Sequence, residues 1–134
     1  MRATVTGNLV RDAELKFTNS GKAVCNFTVA DSYKPNRDAE EQVVYMDVVM
    51  WGSLAENFVS SLKKGQRVIC EGRVQQRNWE TDKGEKRSKY ELVADSAGPD
   101  LRWQTAEVHH RTTNGSAGTS ESRPFRPQFD EEPF

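Results

Sequence analysis

The side chains best equipped for chemistry in this sequence are aromatic and cationic. Tyr45 and Trp51 stand in "VVYMDVVMWG", and Trp79 lies in "RVQQRNWETDKGEKRSK" among Arg73, Arg77, Lys83, Lys86, Arg87 and Lys89. Rings of this size give flat platforms for unstacked nucleobases, worth about 1 to 3 kcal/mol per base, while guanidinium and ammonium groups match phosphates. From Arg73 to Lys89 six cations meet only Glu80, Asp82 and Glu85, a local balance of +3 in a chain whose formal net charge is −1. Any one of these residues also fits a plainer role, as a solvated hairpin charge or a ring that covers the core. Their interleaving is what points to a single-stranded nucleic acid.

Other chemistries find less support. The acids Asp38, Glu40 and Glu41 fall in the polar loop "KPNRDAEEQ", with no His or second carboxylate group at ligand spacing, so they read as solvated. Neither a phosphate-cradling glycine loop nor a nucleophile motif occurs. We therefore expect no catalytic residue, no metal and no cofactor. Cys25 and Cys70 lack C-x-x-C spacing and sit in alternating apolar segments, which predicts two buried, reduced thiols rather than a disulfide. His109 and His110 read as solvated surface residues.

Strands must position the platforms. "ATVTGNL" and "AELKFT" alternate around Val5, Leu15 and Phe17, and the turn residues of "NSGK" precede "AVCNFTVADSY", in which Ala23, Cys25, Phe27 and Val29 share a face. In the next segment Val44, Met46, Val48 and Met50 face inward, which sends Tyr45, Asp47, Val49 and Trp51 outward. Ser53 and Glu56 fit a capping box ahead of Ala55, Phe58, Val59 and Leu62 at helical spacing, with Lys63 and Lys64 in the last turn and Gly65 as the stop. "QRVICEGRVQQRNW" returns to period two, "TDKGEK" turns around Gly84, and "KRSKYELVAD" completes a hairpin. Three strands, one helix and two more strands predict an all-β, five-stranded OB-fold barrel with the helix between strands 3 and 4. An SH3-like barrel competes, and the helix argues against it.

A length of 134 residues with 35% apolar content allows one modest core and an appendage. From Thr112 onward the only large apolar residues are Phe125, Phe129 and Phe134, among Ser, Thr, Gly and three of the five prolines. That composition predicts a folded domain over 1–111 and a disordered tail over 112–134. Residues 1–111 hold 17 Lys+Arg against 16 Asp+Glu, and 112–134 hold 2 against 4, so affinity for an anion must come from placement rather than total charge. No apolar run is long enough to cross a bilayer, and "MRATVTGNLV" lacks the apolar stretch of a secretory signal, which predicts a cytoplasmic protein without a membrane partner.

"GNLVRDAELKF", "VVYMDVVMWG", "LKKGQRVICEGRV" and "QRNWETDKGEKR" together resemble bacterial single-stranded DNA-binding proteins, and "GEKR…GPDLRW" resembles the actinobacterial members. The resemblance implies base stacking by Tyr45, Trp51 and Trp79. It puts Tyr33 near a fourth stacking position, although its parity groups it with Phe27 and Val29, so a bulge or a strand end must turn it. It further implies a nucleoid-associated homotetramer with DNA wrapped around the barrels. Ala13 stands where the family commonly has proline, and Tyr45 where it often has tryptophan. The family's acidic tip closes on Ile-Pro-Phe; here "DEEPF" keeps Pro133 and Phe134 after Asp130 and Glu131, with Glu132 in place of the isoleucine. Such a tip implies docking into basic, apolar pockets of replication, repair and recombination proteins. Two other readings stay open on the residues alone: a protein-interaction barrel of a primosome-like assembly, and a single-stranded RNA-binding barrel.

Overall fold

Period-two alternation builds the walls. β1 (Arg2–Leu9) and β2 (Glu14–Phe17) are followed by β3 (Ala23–Tyr33) and β4 (Gln42–Trp51), then by helix α1 (Ser53–Ser61), β5 (Arg67–Glu80) and β6 (Lys86–Pro99). In the computed structural model, which describes residues 1–110, the inward residues Cys25, Phe27, Val29, Val48, Met50, Val68, Cys70 and Leu92 are all buried. β1 pairs with β5, β5 with β6, β6 with β4, β4 with β3, and β3 closes back onto β1 at Ala30–Asn8 and Val29–Leu9. This is the five-stranded OB-fold barrel the sequence predicts, with one refinement.

The first barrel strand comes in two pieces. β1 runs along β5, whereas β2 runs along β3 from Glu14–Asn26 to Phe17–Ala23. Between them Val10 to Ala13 cross the space opposite Phe27 and Thr28, anchored by the Val10 N–H donating to the Thr28 carbonyl at 3.1 Å. Leu15 packs against the core, but Phe17, at the end of β2, is exposed rather than inward.

Helix α1 plugs one end of the barrel with Ala55 and Phe58. The Phe58 ring stacks on Phe27 with centroids 4.5 Å apart and planes 10° apart. Its start differs from the predicted capping box. The N-cap is Gly52, at φ 69°, with no side-chain cap, and Ser53 is already helical. A left-handed residue is what lets the chain leave β4 directly after Trp51 and enter the helix, and glycine takes that conformation without a Cβ penalty. The C-terminus also comes earlier than predicted, with Leu62 extended, so Lys63 lies beyond the helix; its ammonium still donates to the Val59 carbonyl at 3.1 Å.

At Gly72 the β6 backbone leaves no room for a side chain on β5. A Cβ there would lie 2.0 Å from the Val93 carbonyl oxygen. Ser96 opposes Glu71 and Ala94 opposes Gly72, so Asp95 is the extra residue of a bulge in β6, where it meets the Arg2 guanidinium at 3.1 Å. Cys25 and Cys70 are free and buried, as predicted. Burial pushes their thiols up to about 11 and about 12. The segment 112–134 and the tip Asp130, Glu131, Glu132, Pro133 and Phe134 lie outside the described residues.

Candidate nucleic-acid interface

The register decides which rings share a side. Along β3 and β4 the ladder is unbroken from Val24–Trp51 to Tyr33–Gln42, so Tyr45 sits beside Ala30, Asp47 beside Thr28 and Trp51 beside Val24, all facing away from the core. Parallel pairing sets Asp47 beside Glu91. In the β5–β6 hairpin Gln75 opposes Glu91, Arg77 opposes Lys89 and Trp79 opposes Arg87. Tyr45, Trp51 and Trp79 are thus on the outward side of one continuous sheet, exposed by 63%, 43% and 45%. Arg77, Arg87 and Lys89 share that side. Arg73 has the same parity but lies nearer the barrel body, between Arg2 and Val93.

Three residues fall elsewhere. Lys86 opposes Glu80 and takes the side of Tyr90 and Gln76, opposite to Trp79. Lys83 sits in the turn closed by the Thr81 N–H donating to the Glu85 carbonyl at 2.8 Å. Tyr33 ends β3 without any bulge, on the opposite side of the ladder from Tyr45, with its hydroxyl donating to Gln42 Oε1 at 3.0 Å. The strand end exposes this ring without turning it to the Tyr45 side.

The electrostatics are more balanced than the local charge count implies. Lys89 Nζ donates to Asp47 Oδ2 at 2.6 Å, and the Thr28 hydroxyl donates to the other oxygen at 2.7 Å. The Lys89 ammonium, with help from Thr28 and against partial burial, holds the Asp47 carboxyl below the usual carboxylate range. Next to it Glu91, the one buried charged residue among those described, accepts from Gln75 Nε2 at 2.8 Å and lies 3.9 Å from the Arg77 guanidinium. Arg87 pairs with Glu85 at 2.9 Å. Asp47 and Glu91 therefore match two cations of the predicted excess, while Arg73, Lys83 and Lys86 form no ion pair among the described residues.

Sequence reasoning missed several contributors. Lys22 holds its ammonium 5.6 Å from the centre of the Trp51 ring, a cation–π contact from a turn read only for its backbone chemistry. Arg11 and Lys16 border the same groove as Arg77 and Lys89. Asp47 was visible as an outward residue between two aromatics, but its partner lies 42 positions away. No group of three His, Cys, Asp or Glu side chains among the described residues is placed to hold a metal ion, and no described helix is long and apolar enough to cross a membrane.

Comparison with known proteins bears on this arrangement. The family model described as the single-strand binding protein family matches residues 1–100. The chain is 43% identical to a protein named single-stranded DNA-binding protein from Corynebacterium glutamicum, over 85% of this chain and 53% of that one. Proteins of the same name from Paenarthrobacter aurescens and Mycobacterium tuberculosis are 41% and 44% identical, over 91% and 90% of this chain and 74% and 76% of theirs. The chain spans about half the length of the Corynebacterium relative and about three quarters of the other two.

Proposed function

The chain belongs to the single-strand binding protein family, and from that premise we propose that it coats single-stranded DNA without strong sequence preference and keeps it unpaired. What supports this reading above all is the exposure of Tyr45, Trp51 and Trp79 on the outward side of one sheet. Bases stack on these rings, and every base has a face to offer, so the sequence matters little. Arg73, Arg77, Lys83, Lys86, Arg87 and Lys89 hold the backbone: Arg77, Arg87 and Lys89 beside the rings, Arg73 nearer the barrel body, and Lys83 and Lys86 where the strand passes over the end of the hairpin; Arg73, Lys83 and Lys86 have no ion pair among the described residues to break. Tyr33 serves as an outlying platform at the end of β3. No step of catalysis is involved.

Two further parts of the proposal concern assembly. The protein forms a homotetramer; β1 has a ladder partner on only one side from Arg2 to Thr6, an edge that a second copy can cover. Asp130, Glu131, Glu132, Pro133 and Phe134 recruit replication, repair and recombination proteins, with the carboxylates steering towards a basic rim and the ring filling an apolar pocket. A competition titration of the full chain with single-stranded DNA, duplex DNA and single-stranded RNA, repeated without residues 130–134, tests the reading. Preference for single-stranded DNA, retained after removal of the tip, is the expected result. Equal affinity for the duplex would rule the stacking mechanism out.

A further inference from the structure

Beyond Tyr45 the outward side of β3 and β4 continues into a second concavity. Ala30, Ser32 and Val43 form one wall, and Asn8, Arg67 and Trp103 the other. Asn8 pairs with both Ala30 and Arg67, so the ladder carries the surface from Tyr45 across β3 and β1 to β5. At about 4.8 Å per strand, the track from Tyr45 to Arg67 is about 14 Å long.

The segment after β6 is fixed in place at the far end. Gln104 Nε2 donates to the carbonyls of Arg67 and Asp100, both at 2.8 Å, and the Arg102 N–H donates to Asp100 Oδ1 at 3.1 Å. These bonds tie down the residues on either side of Trp103, which is itself 69% exposed. Arg67 and Arg102 lie 5.1 and 4.5 Å from its ring centre. The acids of the concavity, Asp100 at 2.8 Å and Asp31 at 3.6 Å, both engage Arg67. Arg102 is left without a carboxylate partner among the described residues, unlike Arg77, Arg87 and Lys89.

We propose that Trp103 and Arg102 form an additional single-stranded DNA subsite, reached by strand that leaves Tyr45 over Ala30 and Asn8. Trp103 stacks a base and Arg102 neutralises a phosphate. The inference rests on the nucleic-acid reading of the Tyr45 side. It commits to DNA because the concavity continues that side and repeats the arrangement of Trp51 with Lys22, an exposed ring beside a cation that has no carboxylate partner among the described residues.

Trp51, Trp79 and Trp103 are the only tryptophans of the chain, so emission can be assigned by substitution. In Trp51→Phe/Trp79→Phe protein the remaining indole should be quenched by an oligo-dT of about 30 nucleotides, longer than one barrel's usual site. Trp103→Ala should weaken binding of that oligonucleotide about 5- to 150-fold. Arg102→Ala should make the salt slope shallower by about 0.7. Unquenched Trp103 emission, with quenching intact in Trp103→Phe protein, would overturn the subsite and leave the parent reading standing. Absence of quenching in both proteins would remove the parent reading as well. If instead Trp103 emission changes on dilution of the free protein and Trp103→Ala alters the sedimenting mass, the indole is a subunit contact and the proposal fails. Should the double variant not fold, the affinity of Trp103→Ala protein decides alone.

Discussion

The barrel wall and the hairpin that projects from it use the same strands under different constraints. On the wall, β4 buries Val48 and Met50 while Tyr45 and Trp51 on alternate positions stay exposed. In the hairpin, from Gln75 to Tyr90, the inward parity has nothing left to pack against, and Tyr90 and Trp79 are exposed on opposite sides of the same ribbon. A ring on the wall is backed by a core; Trp79 is backed by its cross-strand neighbours, and a two-stranded ribbon is marginal by itself. The contrast separates a ring seated on a packed core from one carried by a two-stranded ribbon, although both are exposed aromatics.

Substitution at the junction of the two regions should have the largest effect. Gly72→Ala puts a Cβ against the Val93 backbone, which cannot yield like a flexible side chain, so destabilisation at or above about 3 kcal/mol is expected in urea unfolding. A melt unchanged by this substitution would mean that wall and hairpin are not joined as described. Next in size, Trp51→Ala and Trp79→Ala should each weaken oligo-dT binding about 5- to 150-fold. The two should differ in stability: Trp79→Ala should stay within about 0.5 kcal/mol of the parent. If it unfolds the protein like a core deletion, the Trp79 ring packs on more than its cross-strand neighbours.

Smaller effects probe the charges where wall and hairpin meet. Asp47→Asn frees Lys89 from its 2.6 Å partner, so affinity at low salt should rise and the slope of log affinity against log salt should steepen by up to about 0.7. An unchanged slope would show that Lys89 meets no phosphate. The smallest effect is on acid stability. The carboxyl of Asp47 is depressed in the folded state, so its contribution is complete above the unfolded value of about 3.9 and disappears as pH falls through the lowered one. Below about pH 4 the loss of stability should be shallower in Asp47→Asn protein.

Much of the fold was legible because alternation is unambiguous where one side is buried. The parity of Tyr45 and Trp51 follows directly from Val48 and Met50, and the turn around Gly84 from its residue types. Three features were not legible, for different physical reasons. Ser53 and Glu56 have the spacing of a capping box, but the strand-to-helix corner needs a left-handed residue and Gly52 takes the cap. The break between β1 and β2 comes from a change of partner strand, which leaves no mark on local periodicity. Asp47 with Lys89, and Arg67 with Trp103, meet only because the barrel closes; their separations in sequence carry no periodic signal. Tyr33 shows the limit of parity itself, since the ladder runs unbroken to a residue that is exposed by position alone.

The two native thiols have a practical use. With Cys25 and Cys70 raised to about 11 and about 12, the reactive thiolate is scarce at pH 7, and both sulfurs are shielded by the core. A single cysteine introduced at the tip of the hairpin, at the exposed Asp82, should react with a maleimide dye while the native pair stays silent. The arrival of ligand at the hairpin can then be followed by fluorescence with both native cysteines left in place.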